Sequence, residues 1–334
     1  MHINRKLIFL LITSSIVLLK KDDISKYHNN YFPTFSIGNN KLDDFIDDSF
    51  SLEQMKNYTP QGMVKVDNNL VISMHDDGYV DNSVLLLVNN ELNYSKKIEL
   101  DINAHCGGIA YDEINDYLWI TGKDGDILAY DYDDLLETNY IERVEEVTVG
   151  DDLVNHTGDN AVSYLTYYDE HLYLGNFNIW GNNTFMKKYE VEKGGSLSFV
   201  KTIKMPNYIQ GVSFDDENMY VSRSWGRYNL SEVNIYKYDE DIDDYTVVDN
   251  ENYVTPSLQQ QLFVVDDSMY ILYESNSNKF NEFVLKRSDD IVKINLKKWQ
   301  DKKGSCSPFI DFNLIQNLLH IHYQLLINSF HHVF

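Results

Sequence analysis

One phrase recurs five times along this chain, and its spacing constrains the fold more than any other feature. A small or polar pair opens it, alternating apolar residues follow, the chain turns at Asp or Asn, and a second strand runs back. The first copy reads Gln61-Gly62-Met63-Val64, then Asn69-Leu70-Val71-Ile72-Ser73. Gly107-Gly108-Ile109-Ala110 with Tyr117 to Thr121 is the second, and Ser163-Tyr164-Leu165 with His171 to Gly175 the third. Gln210-Gly211-Val212-Ser213 with Asn218 to Ser222 is the fourth, and Gln260-Gln261-Leu262-Phe263 with Ser268 to Leu272 the fifth. A third apolar run follows each pair: Val84 to Val88, Ile127 to Tyr130, Phe185 to Tyr189, Val233 to Tyr238 and Ile291 to Leu296. Successive copies start 46 to 56 residues apart. That period fits a four-stranded propeller blade and is too long for leucine-rich or ankyrin repeats.

A single blade cannot cover both of its faces, so blades stack radially and bury each other. Inner strands are crowded near the axis, where Gly62, Gly108 and Gly211 fit as packing residues rather than as phosphate-binding ones. Asp124-Gly125 suits a type I′ hairpin, whose two central positions need positive φ. The expected architecture is all-β: a β-propeller of five blades, each of four antiparallel strands, over residues 55–297. The fifth repeat shows only three strands. Ring closure therefore calls on an N-terminal strand, with Tyr31 to Ile37 the candidate, or on a sixth, degenerate blade as the alternative.

The ends differ from the repeats. Arg5 and Lys6 precede an apolar run from Leu7 to Leu19, interrupted by Thr13, Ser14 and Ser15 and stopped by Lys20 and Lys21. Thirteen residues fall short of the roughly 20 needed to cross a bilayer as a helix. Residues 1–21 are expected to be a signal peptide, with no stable membrane span, and the protein to be secreted. Residues 22–54 are read as a lead-in and 298–334 as an atypical tail. From 305 onward the tail carries one acid, Asp311, no Lys or Arg, and four histidines.

Charge narrows the partners. The net charge is −24, from 52 acidic and 28 basic residues. Without a Lys/Arg cluster, nucleic acid is not an expected partner. The acidic run Asp239 to Asp244 lacks the turn glycine and closing Glu of an EF-hand, which points to a solvated loop. Cys106 and Cys306 are expected to be free thiols. Five N-x-S/T sequons, at Asn57, Asn93, Asn155, Asn182 and Asn229, matter only in a glycosylating host. No GxSxG, HExxH, Walker A or zinc-type cysteine spacing occurs.

Several phrases carry a resemblance: Tyr58-Thr59-Pro60-Gln61-Gly62, His105-Cys106-Gly107-Gly108-Ile109, Tyr208-Ile209-Gln210-Gly211 and Ser222-Arg223-Ser224-Trp225-Gly226-Arg227. With Pro256 to Ser275, they resemble secreted propellers of the loose superfamily that holds lactonase-like, strictosidine-synthase-like and NHL-type proteins. The resemblance implies fold and secretion, without an established activity. Lactonase-like enzymes hold calcium through Glu, Asn and Asp, a set with no residue-by-residue match in this chain.

Aligned repeats place Gln61, Gly107, Ser163, Gln210 and Gln260 at equivalent inner-strand starts. They place His75, Lys123, Phe177, Ser224 and Glu274 at the ends of second strands. Such converging polar groups suit a small molecule, a glycan or a protein ligand, or else water in an open channel. His105, beside two glycines, suits a base or ligand, although a lone His is commonly structural. Arg223 suits a bidentate carboxylate contact. Glu274 ends an apolar strand, where burial raises a carboxyl pKa. The candidate ligand-binding set is Gln61, His75, His105, Ser163, Gln210, Arg223, Gln260 and Glu274, with no catalytic residue assignable. The expected function is a secreted, ligand- or partner-binding propeller. The alternative is a metal-assisted hydrolase of lactonase or glycosidase type, with calcium as its cofactor.

Overall fold

The computed structural model describes residues 46–51, 57–89, 94–149, 153–154, 161–179, 184–227, 229–239, 244–280, 284, 288 and 290–297. The chain enters through β1 (Ile46–Ser51), which is the last strand to be used in space. Blade one is β2 (Tyr58–Val66), β3 (Asn69–Asp76), β4 (Val84–Asn89) and β5 (Tyr94–Leu100). Blade two is β6 (Ile109–Asp112), β7 (Tyr117–Thr121), β8 (Asp126–Asp131) and the outer strand β10 (Glu145–Thr148); between β8 and β10 the chain forms a short helix α1 (Tyr132–Glu137) and β9 (Tyr140–Ile141), which pairs parallel with β5 as a fifth strand of blade one. Blade three is β11 (Tyr164–Tyr168), β12 (His171–Gly175), β13 (Phe185–Val191) and β14 (Leu197–Lys204). Blade four is β15 (Ile209–Phe214), β16 (Asn218–Arg223), β17 (Ser231–Asp239) and β18 (Asp244–Thr255). Blade five is β19 (Gln259–Val265), β20 (Ser268–Tyr273), β21 (Asp290–Asn295) and, from the other end of the chain, β1.

The fold is a five-bladed β-propeller. First strands of consecutive blades lie side by side, and β19 packs back against β2, so the ring closes at five and the six-bladed alternative falls. Closure does use an N-terminal strand, but it is β1, which pairs antiparallel with β21 from Ser51↔Asp290 to Ile46↔Ile294. The segment 31–37 lies outside the described residues. The missing fourth strand of the last repeat is thus supplied by a segment expected as lead-in.

Burial follows distance from the axis. β3 is buried at every position but its two ends, because neighbouring blades cover both of its faces. Outermost β14 keeps only Ile203 buried, which explains why the fourth strands read as polar. Alternation within each strand sends one set of side chains to each neighbour. Val71, Leu85 and Leu87 join Ile109, Leu118 and Ile120 of blade two. Leu70, Ile72 and Leu86 turn the other way, to Phe263 and Leu272 of blade five. Equivalent layers fill the other three interfaces. The Asp124-Gly125 hairpin has φ of 52° and 88°, as its sequence requires. The insertion carrying α1 accounts for the longest repeat spacing; Asp131 caps α1 by accepting from the Asp134 N–H at 3.1 Å.

The axis is where the blades differ. Position two of the phrase is Gly62, Gly108, Tyr164, Gly211 and Gln261. A Cβ on Gly62 would lie 2.9 Å from the Ile109 nitrogen, and one on Gly108 2.5 Å from the Leu165 nitrogen. A Cβ on Gly211 would lie 2.8 Å from Gln261 Cα. No side chain fits at these points, in agreement with a packing role for the glycines. Into the space they leave reaches Gln261, which is 2% exposed. Its Oε1 accepts from the backbone N–H of Met63 (3.2 Å) and of Ile109 (3.0 Å). Its Nε2 donates to the carbonyls of Ile109 (2.8 Å) and Leu165 (3.4 Å). One amide therefore ties blade five to blades one, two and three while resting on blade four. At this level the Gln261 amide fills the axis.

Replacing Gln261 by Ala should lower stability by on the order of 3 kcal/mol, because it leaves buried backbone donors unpaired and a void behind. Urea denaturation of the variant measures this; a loss under about 0.5 kcal/mol, the size of a surface change, would contradict it.

Candidate functional site

Above the plug, the ends of β2 and β3 meet the 3-10 turn Glu274–Asn276 that follows β20. A bulge between Pro60 and Gly62 frees Gln61 from strict pairing, and the same irregularity recurs at Gln210 and between Gln259 and Leu262. Bulges re-aim a side chain without ending the strand. Gln61, 1% exposed, points its Nε2 at Glu274 Oε2, 3.1 Å away. Thr59, two residues earlier, donates to Asp77 Oδ1 at 2.5 Å and accepts from the Ser277 hydroxyl at 3.0 Å, which seams blade one to the turn.

His75 faces the same recess. It pairs with Thr59 across the sheet and is 1% exposed, yet among the described residues its ring has no side-chain hydrogen-bond partner and only a weak contact with the His105 backbone. Its ring stacks on Tyr79 with centroids 4.7 Å apart and packs obliquely on His105 at 4.6 Å. Tyr79 and His105 are exposed, and the Tyr79 hydroxyl lies 3.0 Å from His105 Nδ1. Tyr79 adopts a left-handed φ of 53°, which turns the loop back over the recess. Lys279 closes the rim: its backbone N–H donates to Asp77 at 3.1 Å, and its ammonium sits 4.7 Å from the Tyr79 ring and 5.3 Å from that of Phe280. Arg227 lies over the other side of Phe280 and donates to the Lys279 carbonyl.

Electrostatics set the protonation states. Burial raises the Glu274 carboxyl to about 7, against the opposing pull of Gln61, Lys279, Arg227 and Gln260. Burial lowers His75 to about 2, with His105 and Lys279 adding to the effect, so its imidazole is neutral. Crowding by protein and then the Lys279 charge also lower His105. Its ring remains open to water, so desolvation acts on it less than on His75. Burial pushes the Cys106 thiol up to about 12, and Cys106 is free, as expected, and unreactive. Cys306 lies outside the described residues.

Five of the eight sequence candidates therefore share this recess: Gln61, His75, His105, Gln260 and Glu274. The other three are held within their own blades. Ser163 Oγ accepts from the Phe177 N–H at 3.0 Å, and Gln210 Nε2 donates to the Ser224 carbonyl at 3.3 Å. Arg223 pairs with Glu232 at 3.2 Å, donates to Asn207 and Asn234, and lies over Tyr208. Sequence reasoning missed Tyr79 and Lys279, which sit on loops without a periodic signal. Gln261 was visible as the one amide among the glycines of the aligned phrase.

Among the described residues, no group of three or more His, Cys, Asp or Glu could hold a metal ion. Also among the described residues, no helix is long and apolar enough to cross a membrane.

Comparison with known proteins leaves the family open. No family model and no curated protein matches the chain. Solved structures overlap in fold. The structure of U3-55K covers 75% of this chain and 98% of its own, at 10% identity and a TM-score of 0.43. The RRP9 WD40 repeats cover 74% and 97% at 10% identity and 0.44. A functionally unknown protein from Desulfotomaculum acetoxidans DSM 771 covers 66% and 63% at 10% identity and 0.38. The class defined by fold and site together is a five-bladed β-propeller with a glutamine across its axis and a largely buried polar cluster at one end.

The two buried titrating groups pull stability in opposite directions with pH. Folded Glu274 keeps its proton from its ordinary 4.5 up to about 7, so its contribution falls as pH rises through that window. Folded His75 refuses the proton that the unfolded chain takes up below 6.5, so its contribution falls as pH drops below that value. Glu274→Gln should raise Tm at pH 8 relative to the parent and leave an uncompensated decline below pH 6.5, measured by thermal scans at fixed ionic strength. Parallel pH profiles for the two proteins would contradict this assignment.

Proposed function

We propose that this chain is a recognition propeller, exported from the cell, which binds a small ligand or a protruding group of a partner in the recess at its axial mouth. The single observation that carries the proposal is His75: a neutral imidazole, almost fully buried between the Tyr79 and His105 rings, with no side-chain hydrogen-bond partner among the described residues. A buried donor and acceptor left unmade cost about 1–3 kcal/mol each, a cost that a ligand offering both would remove. Around it, Tyr79 and His105 provide stacking surface, and Glu274 adds a carboxyl that gives or accepts a proton near neutrality. Lys279 provides a rim cation for a carboxylated or hydroxyl-rich ligand in a protein of net charge −24. Export rests on the basic and apolar segment at residues 5–19.

A second reading draws on one observation, the raised Glu274. A carboxyl titrating near 7 suits general acid–base work, and on this reading the recess hydrolyses a lactone or glycoside. Glycoside hydrolysis calls for a second carboxylate about 5–9.5 Å from the first, and Asp77, bonded to Thr59 and to the Lys279 N–H, is the acid at this rim.

A glycan array and a panel of carboxylated peptides, probed with the full chain and with Lys279→Ala, test the binding role. At least one probe should bind the parent and lose about tenfold or more in affinity for the variant. Absence of any binder, or binders indifferent to both Lys279→Ala and His75→Gln, would overturn it. Turnover of a lactone or aryl glycoside abolished by Glu274→Gln would favour the second reading instead.

A further inference from the structure

A second concave site lies between blades three and four. It sits at the Asp169 and Asp215–Glu217 turns, which join first to second strands, and hence on the face opposite the axial mouth. Its cavity measures about 350 Å³, at the low end of the range of about 300–1,000 Å³ for small-molecule sites. The inner wall is a run of aromatic rings. Phe214 stacks on Tyr168 (5.3 Å, 22°) and packs obliquely on Tyr173 (4.6 Å, 40°). Tyr245 meets Phe214 at 5.9 Å and 53°, and Tyr238 stands edge-on to Tyr245 at 5.4 Å and 64°. Successive planes turn through the cavity, so the rings form walls of a cage rather than a flat shelf.

The opening is acidic. Asp169, Asp215, Asp216 and Glu217 all line it, and Tyr168 and Tyr220 hold Asp216 and Asp215 through their hydroxyls at 3.4 Å and 2.6 Å. The chain's own ammonium groups already use the rings. Lys188 Nζ lies 5.4 Å from the Tyr173 centroid and Lys201 Nζ 5.3 Å from that of Tyr238. A ring face attracts a cation within about 6 Å, and the attraction grows when carboxylates share the site and water is partly excluded. An anionic ligand would meet four carboxylates.

We infer that this inter-blade groove binds an organic cation, an ammonium or guanidinium group carrying apolar substituents, between the aromatic cage and the acidic rim. The incoming cation competes with Lys188 and Lys201 for the ring faces, which act as built-in weak occupants. The site is independent of the axial recess, from which the length of the blade three and four strands separates it.

Choline is the test probe, with 3,3-dimethyl-1-butanol as its uncharged isostere and methyl α-glucoside as the sugar control. The full chain is titrated and followed by amide chemical shifts and ligand-observed saturation transfer. Choline should shift amides of residues 168–173 and 214–218, and the isostere should bind about tenfold more weakly or not at all. Asp216→Asn with Glu217→Gln, both exposed and so harmless to folding, should weaken choline about threefold to tenfold. Lys201→Ala should tighten it about threefold by vacating a ring, and Lys279→Ala should leave it unchanged. Equal binding of choline and its isostere, sugar binding at these amides, no choline binding at tens of millimolar, or weakening by Lys201→Ala would each overturn the assignment.

Discussion

Everything in this ring depends on one amide crossing the axis. The innermost strand of every blade exposes an unpaired edge toward the centre, and a buried unpaired edge is costly. Gln261 meets that demand with four bonds to the backbones of three other blades. It has room because Gly62, Gly108 and Gly211 withdraw their side chains. Three absences and one long polar side chain thus form a single device. The glycines bring the inner strands close, and the glutamine satisfies the groups that closeness would strand.

With the centre plugged, the inter-blade layers supply the apolar burial, and the functional surface is displaced to the two ends of the ring. At one end, bulges aim Gln61 at the Glu274 turn, and His75 is buried there without a side-chain partner among the described residues. At the other, the first hairpins of blades three and four frame an aromatic groove with acidic edges. Closure by β1 places the junction of blades one and five, the site of the axial recess, where distant parts of the chain meet.

Much of this was legible in the residues. The repeated phrase placed the first three strands of every blade, because inner strands are buried on both faces and must be continuously apolar. Glycine at position two marked the axis, and Asp124-Gly125 marked its turn. The closing strand was misplaced because an outer strand needs no apolar alternation, and Ile46-Asp47-Asp48-Ser49-Phe50-Ser51 has almost none. Within the recess, Gln61, His75, Gln260 and Glu274 were found because strand ends are countable. Tyr79 and Lys279 escaped because loop geometry, such as the left-handed Tyr79, leaves no period to count. Arg223 looked available until register set it opposite Glu232 across the sheet.

The central claim is that Gln261 closes the ring through backbone groups that have no strand to pair with. Amide hydrogen exchange at Met63 and Ile109 tests it most directly, because the N–H of each points at Gln261 Oε1 rather than into a sheet. Both amides should exchange only through global opening, as slowly as the central pairs of β3 and β4, and Gln261→Ala should speed them selectively. Exchange at these two positions as fast as in the exposed Asp67-Asn68 turn, or unaltered by Gln261→Ala, would contradict the account.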